Sequence, residues 1–290
     1  EYNNPVKVPA GFKLAEDSGK NVTEGVVIED VSAGDSNTQG NQYVWIPIGN
    51  VKYNANGEAK TINFGRYEFE TNSVGVMKQS ADNYTSVVEI DVGQDYNYTE
   101  LTSSSNGETV AKNLGDFITK AKNAGGYYIG RYEAGKVSGN TNTFNVKKGQ
   151  EVYTEITQPN AANLARNLYS SNSNFESDLI NSYAWDTAIV FIQTFSGDAD
   201  YSKQIRLQTT LTTTGNAHDS NNNYDVRCNI YDMAGNVLEW NTETYTGSDY
   251  ACVRRGGDNG NTTNYTAFRY RNTTSHSGTY IGFRSSLYVK

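Results

Sequence analysis

Short runs in which apolar and polar residues alternate, separated by clusters of Gly, Asn and Ser, fill much of the first hundred residues. Val26 to Glu29, Tyr43 to Pro47 and Phe64 to Phe69 read as strands, because a half-buried strand turns successive side chains to opposite faces. A polar stretch from Gln79 to Asn106 reads as long loops, with a further strand at Val87 to Val92. The period then changes. Val110, Leu114, Phe117, Ile118 and Ala121 follow helical spacing, and the Gly125-Gly126 pair stops that helix. Tyr127 to Glu133 returns to strand. A second helix is expected over Pro159 to Tyr169, with Leu164 and Leu168 on one face. A third runs from Ser177 to about Phe195, carrying Leu179, Tyr183, Trp185, Ala188, Ile189 and Ile192. From Gln204 onward strands and polar loops return, and the low-complexity stretch Thr209 to Asn223 reads as exposed loop.

No repeat of fixed period and no clean linker interrupt this pattern. Interleaved strands and helices therefore predict one α+β domain over residues 1–290. Residues 1–106 are its strand- and loop-rich part, and residues 107–290 its main body.

Composition changes the picture in two ways. Hydrophobic residues are 36% and charged residues 19%, both low for a globular chain, yet 22 Tyr supply the burial that a disordered chain lacks. A net charge of −8 offers no basic stripe to phosphate, so nucleic acid is excluded as a partner. No apolar run approaches membrane-spanning length, and residue 1 is not Met, so a mature form or fragment of a longer chain is expected.

The strongest motifs lie toward the C-terminus. They are Asn229-Ile230-Tyr231-Asp232-Met233-Ala234-Gly235-Asn236-Val237-Leu238-Glu239-Trp240, Arg255-Gly256-Gly257, Arg269-Tyr270-Arg271 and Ile281-Gly282-Phe283-Arg284. With Gly130-Arg131-Tyr132-Glu133 and the Trp185 helix, these ordered blocks resemble the sulfatase-modifying, formylglycine-generating enzyme family. The resemblance covers Gly125 to the C-terminus and implies a C-type-lectin-like fold that is compact and rich in loops.

Enzymes of that family that oxidise cysteine carry two cysteines in a pattern like Cys-x-Arg-Tyr-Arg-Cys. The matching stretch here is Ala267-Phe268-Arg269-Tyr270-Arg271-Asn272, with no thiolate at either position, so copper and thiol redox chemistry are not expected there. Related iron-dependent enzymes need a histidine cluster, and the chain has only His218 and His276. The frame is also similar to variable proteins of diversity-generating retroelements, whose diversified segment closes on Ile-Gly-Phe-Arg. Adenine mutagenesis of Asn codons cannot yield Lys, Glu, Gln, Met or Trp, and none of these occurs from Asp258 to Tyr280. Thr209 to Asp232 lacks them as well. Glu1 to Pro5, Gln42 to Pro47 and the Leu287-Tyr288-Val289 ending resemble surface proteins of gut Firmicutes. Those carry a pilin-like hydrophobic N-terminal anchor, which implies display at a bacterial cell surface and leaves a membrane contact only through such a segment.

Within this frame the spacing of Asp232, Gly235, Val237 and Glu239 resembles a calcium site of the family, two carboxylates and two carbonyls on a tight turn. The alternative is that Asp232 caps a turn and Glu239 pairs with an arginine such as Arg255. Cys228 and Cys252 each precede a family block and would form a disulfide if those blocks were neighbours; the alternative is two buried thiols. Trp45, Trp185 and Trp240 are expected in the core, and Arg255, Arg269, Arg271 and Arg284 in structural pairs. In residues 253–290, Asp258, Asn259, Asn261, Asn264, Tyr265, Phe268, Tyr270, Asn272, His276 and Tyr280 mix aromatics with small polar groups, as binding loops do. The bland reading is an ordinary Asn- and Tyr-rich loop.

Three functions compete at this point. The first is a binding module for an unidentified protein or glycan. The second is an oxidase with an atypical site. The third is a pilin-like subunit that self-associates into filaments or other homo-oligomers.

Overall fold

The computed structural model describes residues 2–32, 36–67, 69, 98–205, 210–218, 221–260 and 264–290. The run Gln42–Pro47 pairs antiparallel with Gly126–Gly130, and the two form the centre of the first sheet. A side chain on Gly126 would collide with the Trp45 ring, which is why the residue after the helix stop is also Gly. Outward on one side lie Val27–Asp30 and Phe12–Leu14; on the other lie Ser285–Val289 and Phe175–Leu179. All five pairings are antiparallel.

The second sheet runs in the order Arg269–Asn272, Cys252–Arg255, Leu238–Tyr245 and Ile281–Phe283. Its last pairing is parallel, and Tyr98–Thr99 adds to the far end of Leu238–Tyr245. Ile281–Phe283 belongs to the second sheet and Ser285–Val289 to the first, so the chain crosses between sheets at Arg284.

Helix α1 (Leu114–Ala124) ends on Gly125, whose φ of 76° lets its N–H reach back to the last carbonyls. Helix α2 (Gln158–Asn167) carries Pro159 in its first turn, where the missing N–H costs nothing. Helix α3 (Ser182–Phe195) starts at Asn181, whose side chain accepts from the Ala184 N–H at 2.9 Å. Ser177 to Leu179, expected in this helix, instead form strand against Ser285–Val289, because that sheet edge takes up their backbone groups. Phe64 to Tyr67 and Phe69 lie in no strand, and the Tyr67 N–H is held by Asp186 of α3. Arg131 to Glu133 lie past the end of their expected strand. Val87 to Val92 fall outside the described residues.

One apolar core joins both sheets and all three helices, with Trp45, Trp185 and Trp240 fully enclosed as expected. The stretch expected as exposed loop is partly inside: Thr214 and Ala217 are buried. No helix among the described residues is long and apolar enough to cross a membrane.

The core also encloses charge. Asp186 on α3 accepts from Arg255 Nη2 at 2.7 Å and from Arg269 Nη2 at 2.5 Å. Glu243 accepts from Arg66 Nη2 at 2.6 Å and from Arg269 Nε at 2.9 Å, with Arg255 Nη1 at 3.4 Å. Buried ions of this kind are tolerated only while paired. Burial alone would raise the Glu243 carboxyl, but the guanidinium groups of Arg269, Arg66 and Arg255 outweigh it and hold the pKa at about 2.

A folded pKa below the unfolded value adds stability that is present above the ordinary carboxylate range and lost as pH falls toward about 2. Glu243→Gln should therefore cost about 3–5 kcal/mol at pH 7, by urea denaturation. The deficit relative to wild type should shrink between pH 5 and pH 2. A deficit that does not change with pH would show that the charge on Glu243 is not what stabilises the cluster.

Candidate functional site

The strand Cys252–Arg255 divides the second sheet into two faces. Successive side chains point to opposite sides, so Arg255 enters the charge cluster while Arg254 emerges on the other face. In register, Arg254 stands between Tyr270 on one neighbour and Trp240 on the other. Helix α2 and the residues before it cover one end of this face: Gln158 Oε1 accepts from Cys252 Sγ at 3.7 Å, and the Ile156 carbonyl accepts from Trp240 Nε1 at 2.8 Å. The other end, around Leu238 and Arg254, forms a cavity.

Two glycines aim the segment that completes the cavity. Gly256 has φ 84°, a left-handed conformation that favours glycine. A Cβ on Gly257 would stand 2.3 Å from the Ala234 carbonyl oxygen, so the chain can lie flat against the turn at residues 233–236 only without one. There the Asn259 N–H donates to the Asn236 carbonyl at 2.9 Å. Asn264 Nδ2 then donates to Asp258 Oδ1 at 3.1 Å. Asp258, Asn259, Asn264, Thr279, Tyr280 and Arg254 line an open cavity of about 560 Å³.

Four of the expected binding residues thus converge: Asp258, Asn259, Asn264 and Tyr280. The others are distributed differently. Tyr265 and Phe268 pack partly against the core, with ring centroids 5.5 Å apart. Phe268 stacks on Tyr270 at 5.9 Å, and Tyr270 remains 47% exposed. Asn272 is buried at the end of its strand, and His276 stands edge-on to Trp240 at 6.5 Å. Asn261 lies outside the described residues. Burial raises the Asp258 carboxyl above its ordinary range, opposed by the Asn264 hydrogen bond and the Arg254 charge. Burial and then Arg254 lower the His276 pKa from its ordinary value, which keeps the imidazole neutral at pH 7.

Sequence reasoning missed Arg254, Leu211, Leu238 and Thr279 as cavity residues. For Arg254 a signal was present. Two consecutive arginines in a strand must face opposite ways, and only one of them can serve the core.

The calcium set looks different in three dimensions. Glu239 gives both oxygens to Arg284, at 2.9 and 2.6 Å, rather than to Arg255. Asp232 sits in a turn with φ 65°, and its Oδ2 accepts from the Gly215 N–H at 2.7 Å. Among the described residues no group of three acidic, His or Cys side chains is arranged to hold a metal. Beside this turn Glu133 is fully buried; its Oε2 accepts from Asn236 Nδ2 at 2.7 Å, while Oε1 has no partner. Burial, and next the charges of Asp232 and Glu239, push its pKa well above the ordinary range.

The expected disulfide is corrected: Cys228 and Cys252 are free thiols in separate surroundings. Cys228 lies in the turn after Val226–Arg227, its Sγ donating to the Thr23 carbonyl at 3.4 Å, whereas Cys252 faces Gln158. The two blocks meet only where Glu239 and Trp240 pair with Arg255 and Arg254, which leaves the cysteines before them apart. Asn229 bonds to Gly25, while Val253 is paired with Asn241 and Arg271. Burial pushes both thiols up to about 12.

No family model and no curated protein matches the sequence. Among solved structures, the chain is similar to the crystal structure of CarF at 15% identity and a TM-score of 0.37, over 57% of this chain and 87% of that one. It is also similar to Treponema denticola variable protein 1 at 15% identity and a TM-score of 0.29, over 84% and 95%. Likenesses this distant carry no argument about the site.

A carboxyl whose folded pKa is raised adds stability below its ordinary value and loses it as pH climbs toward the folded value. Glu133→Gln mimics the protonated form. Its urea midpoint should exceed that of the wild type at pH 8, and the gap should close toward pH 5. A gap that does not depend on pH would show that Glu133 is already ionised in the fold.

Proposed function

We propose that this chain is a non-catalytic ligand-binding protein of C-type-lectin-like architecture, displayed at a bacterial cell surface. Its binding face is carried by the segment from Arg254 to Tyr280, and its partner is a protein or glycan. The observation that supports this most is the open cavity in which Asp258, Asn259, Asn264 and Tyr280 converge beside Arg254. Its volume of about 560 Å³ is that of a small-ligand site, and its lining is polar with an aromatic face.

The division of labour along the segment supports the same reading. Arg255, Gly256, Gly257, Ala267, Arg269 and Arg284 are buried and hold the frame. Asn259, Tyr270, Thr279 and Tyr280 reach solvent between them. Residues that reach solvent on a rigid frame can be exchanged at little cost in stability, which a diversified surface requires. Absence of thiolates at Ala267 and Asn272 is the sequence ground for calling the protein non-catalytic.

Sibling sequences from the source genome provide the test. Differences should concentrate between Asp258 and Tyr280, at the solvent-facing positions, with Arg255 to Gly257 and Ile281 to Arg284 unchanged. In the purified protein, replacing Asn259, Tyr270 and Tyr280 together should shift stability by no more than about 1–2 kcal/mol, since exposed sites cost little. Variation spread evenly over the surface, or collapse of the triple variant, would sink the proposal.

A further inference from the structure

Arg254 is the unusual member of the cavity. Its residue exposure is 8%, yet Nε and Nη1 have no hydrogen-bond partner. The guanidinium lies over the Tyr270 ring at 4.7 Å and over the Tyr280 ring at 5.4 Å. Ring faces attract a cation but accept no in-plane hydrogen bond, so the Nε and Nη1 donors, which point along the guanidinium plane, remain unused. Asp258 lines the same cavity and forms no ion pair with Arg254. Every other buried arginine of the second sheet is saturated: Arg255 and Arg269 by Asp186 and Glu243, and Arg284 by Glu239. A buried guanidinium left without acceptors is costly unless something outside the fold supplies them.

We propose, building on the binding reading above, that Arg254 receives the carboxylate of an acidic sugar, with the rest of the sugar ring lodged in the cavity. A carboxylate is the planar acceptor that a guanidinium fork fits best. The choice of a sugar over an acidic peptide follows from the rest of the lining. Asn259, Asn264, Asp258 and Thr279 offer amide, carboxylate and hydroxyl groups suited to ring hydroxyls, and Tyr280 offers a flat face. A peptide side chain would leave most of these groups unused. Among the described lining residues Arg254 is the one cation, so it sets the sign of the charge that is accepted.

The test uses the whole chain on immobilised glycans ending in glucuronate, galacturonate or N-acetylneuraminate. Their methyl esters, neutral counterparts and Glu- or Asp-rich peptides serve as comparisons. Retention is expected on one or more carboxylated glycans, to fall about tenfold or more on esterification, and to fall equally in Arg254→Gln. A second readout needs no ligand. Because Nε and Nη1 of Arg254 bond to nothing in the fold, Arg254→Met should melt at the wild-type temperature or above, whereas Arg255→Met should melt well below it. Failure to bind any carboxylated glycan, retention on acidic peptides only, or binding indifferent to Arg254→Gln overturns the proposal. So does a melting loss in Arg254→Met that matches Arg255→Met. Binding to neutral glycans that Asn259→Ala and Tyr280→Ala abolish would overturn the carboxylate assignment while leaving the cavity as the binding site.

Discussion

The pairing of Arg284 with Glu239 holds the two sheets in one arrangement. Arg284 occupies the point where the chain leaves the second sheet for the first, and its donors reach partners on both sides. Glu239 belongs to the second sheet, the Gly130 carbonyl to a central strand of the first, and the Tyr231 carbonyl to the short strand Ile230–Tyr231. Arg284, Glu239 and Gly130 are buried, and none of their polar groups could be left unsatisfied without a penalty of about a kcal/mol or more each. The register between the sheets follows from this one guanidinium. The turn at residues 233–236, against which Gly257 lies, is placed with it.

From that register the chemistry of the second sheet divides by the simple alternation of a strand. Arg255 and Arg269 turn inward to Asp186 and Glu243 and fix helix α3 against the sheet. Arg254 and Tyr270 turn the other way, and Arg254, lying over the Tyr270 ring, lines the cavity. Two adjacent arginines of the same kind therefore do opposite work. One is neutralised by the fold and helps define it; the other is enclosed by rings and given no acceptor. A frame made rigid by paired buried charge also permits exchange of the residues that line the cavity, since few of them are needed for packing.

Much of this was legible in the chain. Helical spacing ended by Gly125 located α1, the Pro159 turn located α2, and the apolar run through Trp185 and Ile192 located the body of α3. Errors arose where a local pattern had a distant competitor. Ser177 to Leu179 are compatible with a helix, but an open sheet edge supplied hydrogen bonds that a helix start could not. Cys228 and Cys252 are close in sequence, yet Cys228 lies in the turn of one ladder and Cys252 in a strand of another. For Glu239, spacing could not choose between Arg255 and an arginine 45 residues away, Arg284, with which it pairs.

The sequence by itself determined the positions of the three helices, the buried tryptophans and the segment expected to bind. Those depend on period, on turn chemistry and on residue type, all of which are local. Only the tertiary structure decided which members of that segment meet. Asp258, Asn259, Asn264 and Tyr280 converge because two sheets and a turn bring them together, whereas Asn272 and His276 stand apart. Strand alternation says that Arg254 and Arg255 face opposite ways, but only the tertiary structure decided which of them finds acceptors, because those come from distant parts of the chain.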